Sequence, residues 1–110
     1  MQHTTAFCNW LNILGYMSIL QRIRQKVIDK DYYISSHAED EMFDDALDRE
    51  DVENVILRGK IERKLNADIR GTRYMIEGFS LKGERVHVIC RFSENSTLVV
   101  ITTYVVTEGR

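Results

Sequence analysis

The apolar residues of this chain change period at Gly59, and that switch limits the folds open to it more than any other feature. Before it, in "SILQRIRQKVIDK", Ile19, Leu20, Ile23 and Val27 recur at helical spacing, with Ile28 at the margin of the stripe. After it, apolar and polar residues alternate in "KIERKL", "RYMIEGFSL", "RVHVICRF" and "LVVITTYVV", the period of half-buried strands. No proline, repeat or low-complexity tract interrupts either half. The connections "KGE" and "ENS" suit antiparallel hairpins, and "NADIRGT" is a longer loop. Helices followed by hairpins define an α+β architecture. The expectation is one domain over residues 18–110, its N-terminal helices packed on a four-stranded antiparallel sheet.

Local punctuation fills in the first half. "DYYIS" reads as a short strand. Ser36 and Glu39 form the S-x-x-E pattern of a capping box, so a helix is predicted to start there. Ala38, Met42 and Ala46, with Phe43 and Leu47, give it an apolar side. Asp48 is the predicted cap of the next helix, in which Val52, Val55 and Ile56 recur at i, i+3 and i+4. Gly59 then stands just past its end.

At 110 residues with 44% apolar content, the chain can bury one modest core, and disorder is not the expectation. Cys8 and Cys90 form no disulfide framework and no zinc-site spacing, which favours a reducing compartment. The opening "MQHTTAFCNWLNILGYMSIL" lacks a basic leader, and Asn9 and Asn12 break its apolar run, so it reads as neither a secretion signal nor a membrane span. The reading is cytoplasmic, with no membrane partner. Charge is divided unevenly: residues 1–57 hold five Lys/Arg against eleven Asp/Glu, and residues 58–110 hold ten against six. Such a chain offers an acidic side to one partner and a basic sheet to a polyanion.

The last hairpin carries the chemistry. A two-residue loop at Asn95-Ser96 pairs Glu94 with Thr97 and puts Val86, Val88, Cys90 and Phe92 on the core face with Val99, Ile101, Thr103 and Val105. The opposite face gathers His87, Ile89 and Arg91 with Val100, Thr102 and Tyr104, and His87 lies directly across from Tyr104. His37, at the predicted helix start, sits where the helix dipole favours a neutral imidazole beside a bound anion. Two histidines, an arginine and a tyrosine suit metal-free RNA cleavage. That reaction needs a base for the 2′-hydroxyl, an acid for the 5′-oxygen and a cation for the phosphate. No metal-ligand spacing is present, no cofactor is called for, and alternation points the Cys90 thiol into the core.

In order along the chain, "SSHAEDEM", "LDREDVENVILRGKIE", "YMIEGF", "GERVHVIC" and "ITTYVV" resemble the bacterial domain-of-unknown-function family four-two-five-eight, from about Tyr32 to Val106. That family is similar to the RelE-like toxins of the barnase–EndoU–colicin–RelE ribonuclease group. The resemblance implies a RelE-like toxin fold and a toxin-like endoribonuclease of a toxin–antitoxin pair. It also implies RNA as substrate and a zinc-finger or helix-turn-helix antitoxin as partner. His37, His87 and Tyr104 are the catalytic candidates it marks. Thr102 is marked for substrate binding, and Arg91 joins it from the face pattern. The family's His-Ala-x-x-Arg-Met motif has Glu41 here in place of its arginine, a carboxylate where phosphate would be repelled. The alternative from another class is a non-catalytic protein-interaction module of the same fold, using its acidic helices or open sheet face.

Residues 1–17 lie outside the resemblance, and Met17-Ser18 opens the amphipathic helix, so this extension is expected to be dispensable. A chain beginning at Met17 should melt close to the full chain's temperature in a calorimetric or circular-dichroism scan. A large loss of stability would make the extension part of the core.

Overall fold

The computed structural model describes residues 18–66, 69 and 71–107. The extension 1–17 and its expected dispensability lie outside them. Helix α1 (Ile19–Ile28) begins at a reciprocal cap. The Ser18 hydroxyl accepts the Gln21 N–H at 3.1 Å, and the Gln21 side chain accepts the Ser18 N–H at 3.0 Å. Ile23 and Val27 are its buried side, while Ile28 is exposed. Strand β1 (Tyr32–Ile34) follows. Its Tyr32 turns inward and donates its hydroxyl to Glu53, with the Arg49 guanidinium stacked over the ring. Burial, then the bond to Glu53, pushes the Tyr32 phenol up from its ordinary range.

Helix α2 (Ser36–Asp44) is capped by Ser35, one residue earlier than the S-x-x-E pattern predicts. The Ser35 hydroxyl accepts the Ala38 N–H at 3.1 Å and donates to the Ile101 carbonyl at 2.9 Å, tying the helix start to the last strand. That second bond selects Ser35 over Ser36, and it makes His37 the second helical residue. Ala38 and Met42 are buried, but Phe43 is 86% exposed, because a helical step of about 100° carries it off their stripe.

Helix α3 (Arg49–Arg58) starts at Asp48 as expected. The buried Asp51 carboxylate accepts the Asp48 N–H at 2.8 Å and the Leu81 N–H at 2.9 Å, fixing the helix to a hairpin loop. At its other end Arg24 donates to the carbonyls of Ile56 (3.0 Å) and Gly59 (2.6 Å), which satisfies acceptors that a helix end leaves open. Gly59 has a φ of −85°, so it is not a left-handed cap. It is required for space: a Cβ there would stand 2.3 Å from the Glu77 carbonyl oxygen and 2.5 Å from that of Val55.

The sheet has five strands, not four, and it is not wholly antiparallel. Its order is β1-β5-β4-β3-β2, with β2 (Lys60–Leu65), β3 (Arg73–Phe79), β4 (Arg85–Phe92) and β5 (Leu98–Val105) antiparallel in sequence, and β1 parallel to β5. The three residues of β1 are too few for alternation to reveal a partner so far along the chain. Helices α1 and α3 cover one face, where Ile23, Val27, Val52, Val55 and Ile56 pack with Ile76, Val86, Val88, Cys90, Leu98 and Val100. No helix among the described residues is long and apolar enough to cross a membrane.

The last hairpin departs from the expected register in two places that cancel. Ser93 N–H bonds to the Thr97 carbonyl at 2.8 Å, so the loop is Glu94-Asn95-Ser96, one residue longer than expected, with Ser96 at φ 69°. A bulge then inserts Ile101 between the pairs Cys90↔Val100 and Ile89↔Thr102. Beyond the bulge His87 pairs with Tyr104 as predicted. Before it the faces are exchanged, with Val100 in the core and Val99 across from Arg91 on the other side. A second irregularity interrupts the β2–β3 pairing at Glu62.

Replacing Gly59 by alanine should cost about 1–3 kcal/mol, the usual range for forcing atoms into a packed interior. Urea unfolding monitored by circular dichroism measures it, and an unchanged midpoint would mean that α3 can lift from β3 without cost.

Candidate active site

The sheet face opposite the helices carries Glu77 on β3, His87 on β4 and Tyr104 on β5 in adjoining pairs, Glu77↔His87 and His87↔Tyr104. Their side chains form one hydrogen-bonded line. His87 Nε2 lies 3.0 Å from Glu77 Oε2, and His87 Nδ1 lies 3.2 Å from Tyr104 Oη. A carboxylate accepts only, so the Nε2 proton goes to Glu77, and in the neutral ring Nδ1 is left to accept the Tyr104 hydroxyl proton. The rings stand edge to face with centroids 5.4 Å apart. Arg85 Nε is 3.7 Å from the same Glu77 oxygen. His87 has only 16% of its side chain exposed and both nitrogens occupied, so Tyr104 Oη is the outward end of the line. A base oriented by a carboxylate and bonded to a hydroxyl is the general arrangement that activates a hydroxyl group.

The other residues picked out by sequence lie along the same face but not against His87. Thr102 is across from Ile89 on β5, and its hydroxyl donates to Glu41 Oε1. The same oxygen accepts the Thr103 N–H at 3.1 Å, and Asp45 accepts the Val105 N–H at 2.8 Å, so α2 seals the part of the β5 edge that β1 leaves open. His37 Nε2 lies 3.4 Å from Glu41 Oε1, one helical turn away. His37 and Arg91 meet at a separate concavity of about 340 Å³, lined also by Tyr33, Ser35, Arg73, Val99 and Ile101.

Sequence reasoning missed Glu77, although "YMIEGF" contained it; its place beside His87 depended on the β3–β4 register. Tyr33 and Arg73 were missed for the same kind of reason, since β1 had no assigned partner. Cys90 faces the core as alternation indicated, and burial pushes its thiol up to about 12, away from thiolate chemistry. Among the described residues no three His, Cys, Asp or Glu side chains gather around a common point suited to a cation.

Fold and face together define a small α+β domain with a carboxylate–imidazole–phenol line on its uncovered sheet face. The chain belongs to the family described as "Domain of unknown function (DUF4258)", whose pattern matches residues 34–105. That span runs from the end of β1 to the end of β5 and includes His37, Glu77, His87 and Tyr104. No curated protein and no solved structure matches the chain.

Glu41→Ala should destabilise the fold by about 1–3 kcal/mol, because it strands the Thr103 N–H at a buried edge. Glu41→Gln keeps a carbonyl acceptor and should cost less. Denaturant midpoints of the two variants test this; equal midpoints would remove Glu41 from the edge-sealing role.

Proposed function

We propose that the chain is a metal-independent endoribonuclease of the RelE-like toxin kind, acting on single-stranded RNA and restrained by an antitoxin protein. The observation that carries this reading is the line Glu77–His87–Tyr104. Tyr104 Oη accepts the proton of a ribose 2′-hydroxyl as it passes its own proton to His87 Nδ1, and Glu77 stabilises the imidazolium so formed. The O2′–P bond forms and the P–O5′ bond breaks. The departing 5′-oxygen takes a proton from His37. His37 reaches the face beside Thr102, two strand positions from Tyr104, or about 7 Å, a span that a phosphodiester linkage bridges. Arg91 and Arg73 supply positive charge further along the face. The products are a 2′,3′-cyclic phosphate and a free 5′-hydroxyl.

A second reading has one specific observation in its favour. Phe43 stands 86% exposed on α2 between acidic residues, as a docking helix for a protein partner would present it. An antitoxin seated there serves both readings; a partner without any RNA cleavage serves only the second.

The purified protein should cleave single-stranded RNA in the presence of EDTA. His87→Ala and Tyr104→Phe should each lower the rate by about 10²–10⁴-fold, the usual contribution of a positioned acid or base. Their melting temperatures should stay near wild type, because neither side chain lies in the core. A wild-type protein inert toward RNA, both free and ribosome-bound, overturns the enzyme reading.

A further inference from the structure

The concavity that holds Arg91 is separate from the Glu77–His87–Tyr104 line and has a chemistry of its own. Val99 and Ile101 give it an apolar lining. Tyr33 stands beside them with about half its surface exposed, a flat ring that nothing in the hydrogen-bond network claims. Arg91 and Arg73 line it as well. Arg91 has no hydrogen bond or ion pair among the described residues, so its guanidinium is available to an incoming anion. The first turn of α2, at Ser35 and His37, borders the same space.

A flat aromatic surface beside an apolar lining, with an unengaged guanidinium, matches one ligand class better than others. Acyl or alkyl ligands would leave the cations unused, and a simple phosphate would leave Tyr33 and the apolar lining unused. A nucleotide uses both: its base stacks on the tyrosine and its phosphate meets the arginine. The volume of about 340 Å³ falls within the range of small-ligand clefts. The base must be out of a helical stack to reach the ring, which selects single strands over duplex.

We infer that this cleft is a nucleotide subsite, in which Tyr33 stacks one unpaired base of a single-stranded RNA and Arg91 binds its phosphate. The inference deepens the ribonuclease reading and rests on it for the identity of the polymer. Arg91 and His87 are four residues apart on β4, a distance of about 13 Å between Cα atoms. That distance exceeds one nucleotide step. Arg91 therefore meets a phosphate other than the one cleaved between Tyr104 and His37, and an oligonucleotide should bind far better than a mononucleotide.

The test is binding of a fluorescent 2′-O-methyl hexaribonucleotide, which lacks the attacking hydroxyl, measured by anisotropy across a salt series. Tyr33→Ala and Arg91→Gln should each weaken binding about ten-fold, within the range of a lost base-stacking contact. Arg91→Gln should also reduce the slope of log K against log salt by about 0.7, the loss of one single-strand phosphate contact. Tyr33→Phe keeps the ring and should bind as wild type does, which separates stacking from any folding defect in Tyr33→Ala. Unchanged binding in Tyr33→Ala and Arg91→Gln overturns the subsite and leaves cleavage standing. Binding that depends on both residues, in a protein that cuts no RNA, overturns the catalytic reading and leaves the subsite standing. Absence of wild-type binding at low salt overturns the subsite outright.

Discussion

The hydrogen-bonding demand of β5 organises this domain. β5 is paired along its length by β4 on one side, but on the other side β1 reaches only Leu98, Val99 and Val100. The backbone beyond those residues would face an open edge, and buried peptide groups without partners are costly. Side chains of α2 and its cap supply them: Ser35 to the Ile101 carbonyl, Glu41 to the Thr103 N–H and Asp45 to the Val105 N–H. Helix α2 must therefore run beside the strand, and its first turn, with His37, arrives at the uncovered face as a consequence. Glu41 also acquires a physical reason. An arginine there would have donors only and could not accept a backbone N–H.

Much of the fold was legible from periodicity, and the misses share one cause. α1, α3 and the four long strands follow from 3.6- and 2-residue repeats that each segment carries within itself. β1 does not: three residues contain no repeat, and the parallel partner that defines them lies at the other end of the chain. The cap of α2 is similar. Local sequence favours Ser36, through Glu39, and the choice of Ser35 is made by Ile101, a long-range acceptor. Gly59 was placed correctly but for a different reason, since steric room against β3 and not backbone handedness demands it.

The candidate site shows how a register can be read correctly over part of its length by compensation. The predicted hairpin loop was one residue short, and an unpredicted bulge at Ile101 restored the count before His87 and Tyr104. Nothing in "LVVITTYVV" marks the bulge, because Val99, Val100 and Ile101 are all apolar and give alternation no contrast. That ambiguity concealed the cleft, which depends on Val99 and Ile101 facing Arg91. Glu77 was hidden differently, because its place beside His87 is set by the β3–β4 register, which alternation within those two strands leaves open.

The short parallel pairing of β1 with β5 has a consequence for the order in which the molecule assembles. Strands β2 to β5 meet their neighbours through hairpins, contacts that close early because little chain must be gathered. β1 docks across 66 residues and gains only a three-residue ladder in return. It is accordingly among the last contacts to form and among the first to open in a partial unfolding event. Tyr33 stands on β1, whereas Arg91 stands on β4, so the cleft between them exists only while that final docking is complete. Its occupancy by any ligand would then register as slowed amide exchange at β1, whose Tyr32 and Ile34 reach into the core.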